Sequence, residues 1–245
     1  MSESFAPARL WCRERLADPA EDLGVALPFA PRHSRAALTA LGAMYVEFET
    51  IATRFRELQV ARSKLGWWRD ELARLDAGRP EHPATRLLAA SGVAIPLVAI
   101  GDLLGGFELI LLGGPVNDLA TATLRSELGF ARFCFLIAQL EAHDSAPPEL
   151  LARLGLALGL TRILRSPALD ASARNTIARA ARDSLAGCLG GLESLPQPLP
   201  PLAALARGDL ERDPLAQLGR KARSARVLCA WRAARGGLPR SLRSA

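Results

Sequence analysis

Gly155-Leu156-Ala157-Leu158-Gly159-Leu160-Thr161-Arg162-Ile163-Leu164-Arg165-Ser166-Pro167 is the stretch on which the reading of this chain turns. It reads as the end of a helix. Pro147-Pro148 opens the segment, apolar residues fill it, and Ser166-Pro167 breaks it after Arg165, since proline cannot continue a helix and restricts the residue before it. Arg162 and Arg165 stand three residues apart near the C-terminus of this helix, where cations meet the negative end of the dipole.

Outward from this segment the same helical period recurs. Upstream, Asn117 or Asp118 begins a turn, and Thr121 to Glu141 reads as a helix with Leu124, Leu128, Phe135 and Leu136 inward. Before it, the apolar 94–112 segment stops at Gly113-Gly114-Pro115, and a short helix covers 83–91. From Glu57 to Asp76, Leu58, Ala61, Leu65, Trp68, Leu72 and Leu75 recur at spacings of three and four, a core-facing stripe that Ala77-Gly78-Arg79-Pro80 ends. Residues 33–55 read as one helix, introduced by the Pro28–Pro31 turn. Downstream, Asp170 or Ser172 caps a helix to about Leu192, and Pro196, Pro198, Pro200 and Pro201 make a linker-like stretch. A last helix from Pro214 to Arg235 carries Leu215, Leu218, Ala222, Ala225 and Cys229 on one face. No run reads as a strand and no repeat is visible, so the fold class is all-α. The chain divides into a helical domain, 1–206, and a basic C-terminal helix and tail, 207–245, docked on the same domain.

Composition agrees. Hydrophobic residues are 49% of the chain but aromatics only 5%, so leucine and alanine fill the core, and both favour helix. The net charge of +6 is unevenly placed: residues 1–206 hold 21 basic and 22 acidic residues, whereas 207–245 hold 10 and 3. Such a tail suits anionic lipid, nucleic acid or an acidic protein, and with no recognition motif in the chain nucleic acid is not expected. In the last helix Arg220, Lys221, Arg223 and Arg226 flank an apolar face ending near Val227, Leu228 and Trp231; that face docks on the domain while the arginines stay wet and attract a membrane weakly. Cys12, Cys134, Cys188 and Cys229 lie far apart, which argues against a zinc site or disulfide framework and for a reducing, cytoplasmic setting. No signal peptide is read at the start. Pro96, Asp102 and Glu108 interrupt the most apolar stretch, which therefore reads as a buried helix and not a membrane span.

Several segments, in order, resemble the squalene/phytoene synthase family. Leu27-Pro28-Phe29-Ala30-Pro31 with Arg35 to Leu41 is similar to the family's opening helix, and Met44 to Thr53 occupies the place of its first aspartate-rich motif. Arg62-Ser63-Lys64-Leu65-Gly66-Trp67-Trp68, followed by Gly78 and His82-Pro83, resembles the family's W-W … H-P block, and 155–167 resembles its G-x-A-x-Q-L-T-N-I-L-R-D segment. The resemblance covers roughly residues 25–190 and implies an antiparallel isoprenoid-synthase-like bundle around a central cavity. It also implies acidic clusters on facing helices that hold magnesium against a prenyl diphosphate, neutralising the leaving group. Here the first cluster is reduced to Glu49, with Thr50 and Thr53 where further acids would lie. In the second, Arg162 stands at the Asn position and Ser166 at the Asp position. Val46-Glu47-Phe48 and the Gly155…Gly159…Arg165-Ser166-Pro167 frame look more like the mitochondrial complex I assembly-factor branch, which implies an altered role.

Arg62, Lys64, Arg162 and Arg165 are the candidates for holding a diphosphate or an anionic headgroup. Each also has a plainer reading: a solvated face for Arg62 and Lys64, and the helix dipole and solvent for Arg162 and Arg165. Glu49 is the one candidate for residual metal binding, or pairs with a nearby arginine. The leading functional reading is a non-catalytic relative, without cofactor, that binds an isoprenoid or lipid in a hydrophobic cavity or acts as a scaffold for a protein partner. It would be cytoplasmic and peripheral to the inner face of a membrane through 207–245. The alternative is an active prenyl-diphosphate transferase with degenerate motifs, for which magnesium would be required.

Overall fold

The computed structural model describes residues 5–18, 21–55, 57–141, 146–211 and 220–235, with 220–223 as backbone alone. Among these residues there is no strand; the chain is an all-α, single-domain bundle. Its helices are α1 Ala6–Arg15, α2 Asp22–Ala26, α3 Arg35–Arg54, α4 Leu58–Asp76, α5 Pro83–Ala89, α6 Leu97–Leu112, α7 Leu119–Ser126, α8 Arg132–Leu140, α9 Pro148–Ile163, α10 Ala171–Ala186, α11 Leu199–Glu211 and α12 Arg220–Ala234. A π-helical turn, Glu127–Ala131, joins α7 to α8 without a break.

Local chemistry sets these bounds. Asp118 accepts a hydrogen bond from the Thr121 N–H at 2.7 Å and Asp170 one from the Ala173 N–H at 2.8 Å, so each caps the helix it precedes. At the end of α4, Gly78 takes φ +71°, and the Gly78 and Arg79 amides donate to Leu75 and Arg74 carbonyls. The Trp-Trp … His-Pro block builds the corner that follows. Glu71, fully buried on α4, accepts from the Glu81 and His82 amides at 2.9 and 2.8 Å, from Arg74 Nε at 2.7 Å and from the Thr85 hydroxyl. His82 Nδ1 accepts from the Ala84 amide and caps α5. Its ring lies 4.4 Å from that of Trp68 and 4.6 Å from that of Trp11. Burial pushes its pKa down to about 4, leaving the ring neutral as the cap requires.

Helix α9 runs through the middle, packed on α7, the π turn, α8, α10 and α11; α3 lies across α1, α5 and α6. Several expectations are corrected by this packing. Leu58 is exposed and Leu72 only half-buried. Leu124 points to solvent, because the face of α7 turned inward is that of the small residues Ala122 and Ser126, with Gly159 of α9 set close against Ser126. On α6, Val98, Leu109 and Leu112 are exposed, so that helix is buried along one face only. The proline-rich stretch is no linker: Pro200 and Pro201 are buried in the first turn of α11, where their missing N–H groups need no partner. Residue 206 lies inside that helix. On α12 the expected faces are reversed, with Arg226 buried and Val227, Leu228 and Trp231 exposed. Leu215 and Leu218 lie outside the described residues.

Candidate functional site

The last turn of α9 brings Arg162 and Arg165 to a cavity of about 1090 Å³ walled by α3, the α3–α4 corner, the α6–α7 connection and α11–α12. Its lining combines the apolar Ala52, Phe55, Leu58, Leu111 and Ile163 with charged side chains.

Arg162 is enclosed by two carboxylates. Its Nε donates to Glu49 at 2.7 and 2.9 Å, its Nη1 to Glu21 at 2.9 Å, and its Nη2 to both acids at 2.6 Å. Glu49 comes from the middle of α3, and Glu21 is the residue that caps α2, accepting from the Leu23 amide. Tyr45, one turn before Glu49, lays its ring 5.6 Å below the guanidinium. Burial pushes the Glu21 carboxyl up, but the charge and hydrogen bonds of Arg162 outweigh it and hold the pKa below the ordinary carboxylate value. For Arg162 burial works downward, and the two glutamates outweigh it, so the guanidinium stays charged. Tyr45 is held as a phenol, first by burial and then by Glu49.

A second network lies beside the first. Arg165 donates to Asp22 at 2.7 Å and to Asp209, and Arg226 donates to the other oxygens of the same two aspartates. This ring of two cations and two anions ties α2, the end of α9, α11 and α12 together. Arg174 completes the corner by donating to the Leu164 and Ser166 carbonyls, which the end of α9 leaves open. Arg125, half-buried on α7, reaches the Gly114 carbonyl at 2.5 Å; burial lowers its pKa and Glu49 opposes that.

Thr53 and Ser166 both line the cavity, but the Thr53 hydroxyl donates to the Glu49 carbonyl and the Ser166 hydroxyl accepts from the Ala168 amide. Arg62 and Lys64 are not brought to it: both are exposed on α4, where Lys64 Nζ lies 4.9 Å from the Phe55 ring. Reasoning from sequence missed Glu21, Asp22, Asp209, Arg226 and Arg125. The one signal was Arg162 itself, because a guanidinium carried into a packed bundle needs acids from elsewhere in the chain.

Behind the ion network the bundle is filled. Tyr45 lies 5.3, 5.1 and 4.9 Å from the rings of Phe107, Phe130 and Phe133, and a cleft of only about 30 Å³ remains there. That is far below the roughly 300 Å³ at which ligand pockets begin.

The residues present do not fit magnesium. A divalent ion between Glu21 and Glu49 would occupy the space of the guanidinium and face its charge at contact distance. Among the described residues, no group of three or more His, Cys, Asp or Glu side chains is placed to hold a metal ion.

No curated protein matches the chain. The family model described as squalene/phytoene synthase matches residues 16–178, from the end of α1 into α10. That span is well over half of the chain and carries both the α3 wall and the α9 turn of the cavity, so this protein belongs to the squalene/phytoene synthase family.

Proposed function

We propose that this chain is a squalene/phytoene synthase relative that has given up metal-dependent prenyl transfer and serves in the cytoplasm as an assembly or scaffold factor. The observation that carries this reading is the enclosure of Arg162. Its guanidinium supplies, as part of the chain, the positive charge that bound cations would otherwise bring to Glu21 and Glu49. A diphosphate leaving group needs cations free to follow its developing charge, and a guanidinium saturated by two carboxylates is not free to do so. The aromatic filling behind it supports the same reading, since it leaves no depth for a long chain beyond the ions. The likeness of Val46-Glu47-Phe48 to the complex I assembly-factor branch points to assembly work.

A second reading rests on the apolar residues lining the larger cavity, which suit the tail of an isoprenoid or lipid held as cargo. Incubating the protein with farnesyl or geranylgeranyl diphosphate and magnesium is expected to release no pyrophosphate. Sustained release would overturn the proposal and restore the transferase alternative. Native mass spectrometry of protein isolated from its own host separates the other two: a bound lipid supports cargo, its absence the scaffold.

A further inference from the structure

Among its described side chains, helix α12 turns one arginine and two alanines to the protein. Arg226, 5% exposed, joins the ion ring, and Ala230 and Ala233 pack on the same face. Helical spacing then carries Val227, Leu228 and Trp231 outward, where they are 42%, 46% and 40% exposed. The rotation of the helix is thus fixed by a buried arginine, and the consequence is an apolar cluster left in water, the mark of an interaction surface.

Two described arginines lie beside this cluster. Arg232 is exposed beside the cluster, and the Arg235 guanidinium lies 4.6 Å over the Trp231 ring. From Pro214 to Ala245 the sequence has eight basic residues and no acidic one, whereas residues 1–206 are close to balance.

We propose that this face of α12 docks on an anionic lipid bilayer. Val227, Leu228 and Trp231 enter the boundary between headgroups and acyl chains, and the arginines around them meet lipid phosphates. A tryptophan with aliphatic neighbours suits that boundary, where one end of the ring is apolar and the other wet. The contact is interfacial, in keeping with a helix of 15 residues; no described helix is long and apolar enough to cross a membrane. Nucleic acid would engage the cations and leave the aliphatic pair in water. The inference goes beyond the loss of catalysis and does not rest on it.

The test is co-sedimentation of the full chain with vesicles of phosphatidylcholine alone and of phosphatidylcholine mixed with phosphatidylglycerol. Binding is expected to the mixed vesicles and to weaken with salt. The double variant Val227→Ser/Trp231→Ser is expected to lower partitioning by about tenfold. The variant Arg232→Glu/Arg235→Glu, which keeps the apolar cluster, is expected to abolish the preference for anionic lipid. All four side chains stand outside the packed core, so melting temperature serves as the control for folding. Equal binding to both kinds of vesicle, or undiminished binding by both variants, would overturn the proposal. Displacement from the vesicles by a short duplex oligonucleotide would overturn it in favour of a nucleic-acid face. None of these outcomes bears on the pyrophosphate assay, so the two readings fail separately.

Discussion

Removing the guanidinium of Arg162 leaves Glu21 and Glu49 facing one another with no cation between them. Arg162→Asn is therefore expected to cost about 3–5 kcal/mol in chemical denaturation, the usual penalty for orphaning a buried ion pair. Because the pair holds the Glu21 pKa below its ordinary value, its contribution is fully present above the ordinary carboxylate pKa. It drains away as the pH falls through the lowered one. The variant is expected to lose that share of the acid sensitivity. It is also expected to gain a site for a trivalent probe: terbium between the two glutamates would lie near Tyr45 and emit when that ring is excited. Equal terbium emission from the unaltered protein would count against the reading of Arg162 as the built-in cation. The two glutamates differ in legibility. Glu49 stands inside a motif frame and was named from it, whereas Glu21 precedes a five-residue helix and shows nothing locally except a capping role.

At the scale of elements, the glycines of α9 decide how close the helices come. A Cβ on Gly155 would lie 2.2 Å from Ala131 Cα, and one on Gly159 would lie 2.6 Å from Ser126 Cβ. Gly155→Val is expected to overpack this contact by about 1–3 kcal/mol or more, lowering the melting temperature by roughly 2–4 °C for each kcal/mol. Gly66 on α4 is the contrasting case, with open space where a Cβ would go. There Gly66→Ala is expected to stabilise the fold by up to about 1 kcal/mol through helix propensity. If both substitutions shift the melting temperature alike, close approach is not what Gly155 provides. This contact also explains the misread face of α7. Hydrophobic spacing favoured Leu124 and Leu128 as the inward residues, but the α9 crossing, with Gly159 against Ser126, turns the small Ala122 and Ser126 inward instead.

Across the whole molecule, the ring of Asp22, Arg165, Asp209 and Arg226 joins α2 near the start of the described chain to α12 near its end. Arg226→Ala would leave Asp22 and Asp209 to share Arg165 as their one cation in the ring, and is expected to cost up to about 3–5 kcal/mol. The loss should appear as one cooperative transition shifted to lower denaturant, with helical and tryptophan signals coincident. Early loss of part of the helical signal would show instead that α12 frays by itself. The sequence determined what depends on neighbours: the positions of most long helices, their starts at 117–118 and 170–172, the turn at Gly78, the family frame and the basic, acid-free end. Each follows from periodicity or from turn chemistry acting over a few residues. Only the tertiary structure decided which charges meet and which faces turn inward. Arg162 finds Glu49 and Glu21 across separations of 113 and 141 residues, and Arg226 finds Asp22 across 204. No local pattern encodes such pairs, because a buried charge is satisfied by whatever partner the packed helices bring within hydrogen-bond reach. Once Arg226 is so held, the rest of α12 has no choice of face.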